Sequence, residues 1–250
     1  MGNAKAETIS RPRIETMIPA DLVAIIPARG GSKGIPKKNL TDLNGRPLIS
    51  YSIEAALHCP FIHRCIVSTE DEQIKNISLQ WGAEVIDRPD SLSTDVSLTQ
   101  DVVEHVLDVL QQEGELPDYF VLLQPTSPLR NASHIESCIE QFFAHDAACA
   151  ISVTEAEHHP YKMFFLDDEQ SLQPFRDEAT LSQPRQLLPK VYRQNGAIYL
   201  MNTSLFLEKK SFFAQPAYPF VMSNEESIDI DTKRDLDIAA FYLRNELIYS

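Results

Sequence analysis

A chain of 250 residues, 43% of them hydrophobic, can bury a full core as one α/β domain. Its 36 acidic and 22 basic residues leave a formal net charge of −14. Such a surface repels nucleic acid and anionic membrane and favours a small-molecule substrate.

Residues 1–19 are polar and aperiodic and read as a loose extension without a signal-peptide core. Ala6 stands where the myristoylation pattern needs Ser or Thr. Leu22-Val23-Ala24-Ile25-Ile26 is a short apolar run suited to a strand buried on both faces. Pro47 opens a helix whose apolar stripe is Leu48, Ile49, Ile53, Ala56 and Leu57. Arg64 to Ser68 reads as a strand, and Thr69 with Glu72 as a capping box for a helix running to about Trp81. Strands follow at Ala83–Ile86, Tyr119–Leu123 and Ala147–Val153, with helices from Leu98 and from Ser133 to about Ala144 between them. The repeated strand–helix–strand order predicts βαβ units and a Rossmann-like, mostly parallel sheet with helices on both faces. No apolar run approaches the roughly 18 residues of a membrane span. Cys59, Cys65, Cys138 and Cys149 lack paired or C-x-x-C spacing, which suits reduced thiols in a cytoplasmic protein.

Ligands of such sheets sit beyond the carboxyl ends of the strands, so the loops after Ile26, Ser68, Ile86 and Leu123 should carry the chemistry. The first of these reads Ala28-Arg29-Gly30-Gly31-Ser32-Lys33-Gly34, then Lys37-Lys38 after Pro36. Glycine lets the backbone bring its amides close to a ligand, and Arg29, Lys33, Lys37 and Lys38 make the loop locally positive. This predicts a nucleotide-phosphate loop. Ile35-Pro36 stands where a P-loop would need Gly-Lys, and glycines at 30, 31 and 34 do not fit G-x-G-x-x-G. Arg88 and Ser93-Thr94-Asp95 occupy the third loop, and Gln124-Pro125-Thr126-Ser127-Pro128-Leu129-Arg130 makes a stiff fourth, where a side-chain amide can read a base edge.

From Glu155 to about residue 190 the chain is acidic, proline-bearing and weakly periodic, and reads as an arm or partner-contacting insertion. His158-His159 is not expected to hold a metal, because adjacent side chains diverge. Arg185 and Arg193 flank a strand through Leu200 and suit two anionic groups. In Ser227-Ile228-Asp229-Ile230-Asp231-Thr232 the two aspartates share one side and the two isoleucines the other. Two convergent carboxylates opposite a phosphate loop predict a Mg²⁺ site. Thr232 and Asp235 are the expected cap pair of the helix that follows.

The set IIPARGGSKGIPKKNL, LLQPTSPLR, EHHPYK, QPRQLLP, YRQNGAIYL and SIDIDT resembles the acylneuraminate cytidylyltransferases, the CMP-sialic acid synthetases, over residues 22 to about 240. The resemblance implies one nucleotidyltransferase domain, residues 20–154 and 194–250, with residues 155–193 as a dimerisation arm contributing to the active site. It implies a homodimer, Mg²⁺, and transfer of CMP from CTP to a nine-carbon 2-keto sugar acid with release of pyrophosphate. It assigns Arg29, Lys38 and Asn39 to the CTP loop, with Lys33, Gly30, Gly31 and Ser32 beside them, and Arg88 near the cytidine. By the same resemblance Gln124, Arg185 and Tyr199 face the sugar acid and Arg193 lines the site. Asp229 and Asp231 match the metal-binding aspartates, and Phe212 and Phe213 match aromatics that one subunit lends to the other. The resemblance departs at Gly30-Gly31, where some members carry bulkier polar residues. Legionaminic and pseudaminic acid synthetases look much the same, so these sugars stay open. An eight-carbon octulosonate enzyme or a non-catalytic nucleotide-binding regulator are the remaining alternatives.

Overall fold

The computed structural model describes residues 21–32 and 34–245, so the expectations for residues 1–19 and for Lys33 lie outside the described residues. Strand β1 (Leu22–Pro27) runs through the centre of the molecule. Its side chains alternate between two cores: Leu22, Ala24 and Ile26 join one, Val23 and Ile25 the other. Burial on both faces follows from the unbroken apolar run, since successive residues of a strand point to opposite sides.

The main sheet contains β1, β4 (Arg64–Thr69), β5 (Glu84–Asp87), β6 (Tyr119–Leu122), β7 (Cys149–Glu155), β10 (Tyr192–Asn202) and β11 (Ala217–Val221). Its order is β11-β7-β10-β6-β1-β4-β5. Every pairing is parallel except those of β10, which runs antiparallel to both neighbours. Helices α1 (Leu48–Leu57), α2 (Glu72–Gln80) and α4 (Ala132–Ala144) cover the face of the first core. Helices α3 (Thr99–Glu113) and α6 (Thr203–Lys209) cover the second. A third, smaller core forms where Ile230 and Ala239 of the C-terminal region meet Leu43, Leu48 and Tyr51. The last helix, α7 (Lys233–Asn245), packs there.

Chain direction reverses about β1: the connection from β1 leads to β4 on one side, and β6 lies on the other. A crevice opens at such a switch point beyond the carboxyl ends of the strands, and it positions the site described below.

The sequence reading needs several local corrections. Pro47 precedes α1 as its cap and does not open it, being held in a short pairing of β2 (Asp42–Leu43) with β3 (Arg46–Pro47). Asp71, and not Thr69, caps α2, its carboxylate accepting the Gln73 and Ile74 amides while Thr69 Oγ1 accepts that of Asp71. The strands expected at 83–86 and 147–153 begin later, at Glu84 and Cys149. Strand β11 and helix α6 went unforeseen, since neither shows a long periodic pattern. The Thr232–Asp235 cap pair is present, Asp235 Oδ2 accepting the Thr232 amide at 2.8 Å and Thr232 Oγ1 accepting that of Asp235 at 3.3 Å.

The chain leaves the sheet after Glu155 and returns at Tyr192, and these two residues pair across β7 and β10. The excursion holds a small separate sheet of β8 (Phe164–Leu166) and β9 (Leu172–Pro174) and the one-turn helix α5 (Glu178–Ser182). His159 caps a turn there, its Nδ1 accepting the Tyr161 amide at 3.1 Å. The four cysteines are buried and unpaired. Burial pushes the Cys59 thiol up to about 11 and that of Cys65 up to about 12, which makes them inert packing groups. Among the described residues no helix is long and apolar enough to cross a membrane.

Candidate active site

A cavity of about 340 Å³ opens at the switch point. The glycine loop after β1 supplies Arg29, Gly31, Ser32, Lys38 and Asn39 to its wall. Asn39 is buried and donates from Nδ2 to the Arg29 carbonyl at 2.9 Å, so it braces the loop from within. Arg29 Nη1 donates to the Thr94 carbonyl at 3.0 Å and to Asp95 Oδ1 at 2.9 Å, tying the first loop to the third. The Gly30 amide does not face the cavity. It donates to Glu70 Oε1 at 2.7 Å, and a side chain at Gly30 would strike Asp71. A Cβ at Gly31 meets no atom within 4 Å, so only the second glycine has room for the bulkier residues that the resemblance associates with this pair.

Asp229 and Asp231 line the opposite wall. Ile230 is fully buried in the third core, and Ile228 packs against it, as their alternation requires. The Ile230 amide donates to the Thr126 carbonyl at 2.8 Å, and Lys38 Nζ donates to the Ile230 carbonyl at 2.7 Å. Lys38 Nζ also meets Asp231 Oδ1 at 2.9 Å. The carboxylate segment is thus held between the glycine loop and the Gln124 loop. Burial lifts the Asp229 carboxyl above its usual range, opposed by a hydrogen bond from Thr126. The Asp231 charge lifts it further, while Lys38 and Arg193 pull it down.

Arg88 is buried beneath the cavity, where Nη2 donates to the Ser68 carbonyl at 2.6 Å and Nε to Ser68 Oγ at 3.2 Å. Burial lowers its guanidinium to about 10. Arg88 therefore fixes the end of β4 and presents its remaining edge to the ligand space.

A second cavity, about 300 Å³, adjoins the first, and Thr99 and Gln124 line both. Its other walls include Gln194, Tyr199, Phe212 and Phe213. Burial, and then the Asp229 charge, raise the Tyr199 hydroxyl, so electrostatic reach connects the two cavities. Gln124 Oε1 would lie 2.7 Å from a Cβ on Gly196, a residue with φ of +78°. Only glycine combines that backbone conformation with so close an approach. Gly196→Ala is expected to push Gln124 off its position and cost about 1–2 kcal/mol through the backbone alone. Thermal unfolding checks the cost, and the position of the Gln124 amide in a crystal structure of the variant checks the displacement.

The structure brings together Arg29, Gly31, Ser32, Lys38, Asn39, Arg88, Gln124, Asp229 and Asp231 in the first cavity, and Gln124, Tyr199, Phe212 and Phe213 in the second. Arg193 is exposed on β10 yet close enough to act on Asp229. Arg185 is exposed in the arm and lines neither cavity. Phe212 and Phe213 line the cavity of the chain that carries them, whereas the resemblance implies a loan to a partner. The Phe212 ring stacks on Phe206 at 5.2 Å and meets Tyr199 at 5.6 Å, which anchors it in its own core. Sequence reasoning missed Glu70, which also accepts from Ser93 Oγ at 3.0 Å and so joins three loops. Its place directly after β4 was the available signal.

A family model described as cytidylyltransferase matches residues 23–247. The chain is 38% identical over 215 residues to the N-acylneuraminate cytidylyltransferase of Streptococcus agalactiae serotype V, covering 85% of this chain and 51% of that protein. The chain thus spans about half the length of that relative. It is 34% identical over 218 residues to the pseudaminic acid cytidylyltransferase of Campylobacter jejuni serotype O:2, covering 87% of this chain and 94% of that one. A solved structure described as CMP:2-keto-3-deoxy-manno-octonic acid synthetase complexed with CTP shares the fold. Its TM-score is 0.68 at 17% identity, covering 91% of this chain and 100% of that one. The matched span takes in the central sheet and both cavities at its edge, and on this ground the chain belongs to the cytidylyltransferase family.

Proposed function

We propose that the chain transfers CMP from CTP to a nine-carbon 2-keto sugar acid, N-acetylneuraminic acid or a close analogue, and releases pyrophosphate. The observation that carries this reading is the pair of adjoining cavities sharing Gln124. One has cations and a carboxylate pair suited to a triphosphate, the other an amide, a phenol and two aromatic rings suited to an amphipathic sugar. The match to the Campylobacter relative, over 94% of that protein, supports the same class of reaction for this chain.

The anomeric hydroxyl attacks the α-phosphorus in line, and pyrophosphate leaves. Lys38, Arg29 and the loop amides hold the phosphates and stabilise charge that develops on them. Gln124 and Tyr199 orient the sugar so that the hydroxyl lies in line. Asp229 and Asp231 would hold Mg²⁺. Two hard oxygen donors at the mouth of a phosphate cavity fit a cation that binds through one or two carboxylates plus substrate phosphates. Among the described residues no group of three His, Cys, Asp or Glu side chains is placed to hold a metal. Bound there, the cation would neutralise the α-phosphate and lower the pKa of the attacking hydroxyl.

The arm acts as a dimerisation element. Phe164, Phe165, Leu166, Leu172, Phe175 and Leu187 are all exposed on it, a concentration of apolar surface that marks an interface in soluble proteins. Arg185, which lines neither cavity of its own chain, then has a partner's sugar carboxylate within its role. A Phe165→Asp, Leu187→Asp variant is expected to sediment as a monomer with sharply reduced turnover at unchanged monomer fold. Analytical ultracentrifugation and circular dichroism check it.

The test of the function is pyrophosphate release with CTP and Mg²⁺ against N-acetylneuraminic, legionaminic, pseudaminic and eight-carbon octulosonic acids. Strong turnover of one nine-carbon acid establishes the reading and names the product. Turnover of the octulosonic acid alone, or of none while CTP still binds, overturns it.

A further inference from the structure

Glu70 stands directly after β4 and lines neither the first cavity nor the second. We propose that it is a positioning residue for Arg29, acting through the two segments that fix that arginine. The proposal rests on the reading of the first cavity as a CTP site with Arg29 on the phosphates.

Hydrogen bonds close a ring around Arg29. One oxygen of the half-buried Glu70 side chain, Oε1, accepts the Gly30 amide at 2.7 Å. The other, Oε2, accepts from Ser93 Oγ at 3.0 Å. Gly30 follows Arg29 in the chain, and Ser93 precedes the two residues that hold the Arg29 guanidinium. Those are Thr94, whose carbonyl accepts from Nη1 at 3.0 Å, and Asp95, whose Oδ1 accepts from it at 2.9 Å. One carboxylate thus ties the main chain beside Arg29 to the loop that grips its side-chain tip. Hydrogen bonds to a carboxylate are roughly twice as strong as those between neutral groups.

Neighbouring contacts leave this ring little freedom. The Asp71 carboxylate is fixed as the cap of α2, accepting the Gln73 and Ile74 amides at 2.8 and 3.0 Å. Its Oδ2 would lie 2.6 Å from a Cβ at Gly30, so it occupies the place of a side chain there. Asn39 Nδ2 holds the Arg29 carbonyl, and the Thr94 amide donates to Ser97 Oγ at 3.1 Å. Electrostatics couple the same groups: burial lowers the Arg88 guanidinium, the Glu70 charge opposes that shift, and the Arg29 charge adds to it. A negative charge beside a phosphate site would by itself oppose a triphosphate. What Glu70 contributes is therefore its pair of hydrogen bonds. An arginine aimed before its ligand arrives loses less rotamer freedom on binding.

The test is calorimetric titration of the full chain with CTP, with Tm recorded for every variant. Glu70→Ala opens the ring and should weaken CTP binding about tenfold, the worth of one charge-assisted bond. Glu70→Gln keeps an acceptor for Gly30 and a polar contact for Ser93, and should bind within about threefold of the parent. Ser93→Ala removes one leg of the ring and should weaken binding about threefold, and it decides the matter if Glu70→Ala does not fold. In an Arg29→Met background Glu70→Ala should add less than about twofold, because groups that act as one unit are not additive. A merely structural role would weaken CTP equally in both backgrounds, and loss of charge alone would tighten CTP in both Glu70 variants. Either result, or binding unmoved by Glu70→Ala and Ser93→Ala, overturns the proposal. A parent chain that binds no CTP instead overturns the functional reading on which the proposal stands.

Discussion

Asp229→Asn is expected to cut pyrophosphate release about a thousandfold while making the metal-free protein more stable at neutral pH. The activity loss follows from removing one of two carboxylates proposed to hold the cation, whose charge stabilisation is worth several kcal/mol. The substitution keeps shape and size, so the cavity wall stays in place. The stability gain follows from the raised carboxyl pKa, caused first by burial and then by Asp231. A carboxyl that binds its proton more tightly in the folded state supports folding fully only below its ordinary pKa. That support is lost as pH rises through the folded value. At neutral pH Asp229 is therefore ionised at a cost that asparagine does not bear. Thermal unfolding in chelator should show a higher Tm for the variant at pH 7 and convergence with the parent below the usual carboxylate range. Turnover within tenfold of the parent at saturating Mg²⁺ would remove Asp229 from the metal site.

Gly34→Ala is expected to lower kcat/KM about a hundredfold. A Cβ on Gly34 would stand 2.2 Å from the backbone oxygen of Asp231. That atom belongs to main chain, so no rotamer change can relieve the clash. Either the glycine loop or the carboxylate segment must move. Lys38 bridges the two through the Ile230 carbonyl and Asp231 Oδ1, so both contacts are disturbed. A displacement of about 1 Å among reacting groups costs on the order of 10²-fold, and the overpacking itself costs about 1–3 kcal/mol. Gly31→Ala is the control: with no atom within 4 Å of its Cβ, it should leave Tm unchanged. Equal effects of the two substitutions would mean that the loop matters only for its flexibility.

Much of this arrangement was legible in the chain. The run Leu22–Ile26, the alternation of Ile228–Asp231 and the Thr232–Asp235 pair depend on neighbours within a few residues, where backbone geometry decides which way side chains point. From these come the parallel sheet, the carboxylate pair and the end of the sheet at which ligands should be sought. Boundaries drifted wherever two caps competed, as at Thr69 and Asp71, because both side chains can accept an amide and only the turn geometry chooses between them.

By itself the sequence determined the α/β class, the positive glycine loop, the convergence of Asp229 with Asp231 and the family resemblance, all carried by short-range periodicity and contiguous motifs. Tertiary structure alone decided the contacts between distant segments: Gly34 against Asp231, Gly196 against Gln124, and Gly30 turned to Glu70 and away from the cavity. It also decided that Phe212 stacks on Phe206 and that Arg130 is buried. These depend on how layers close over one another. A one-dimensional pattern records that a residue is small, aromatic or charged, but not which atom of a remote segment will stand against it.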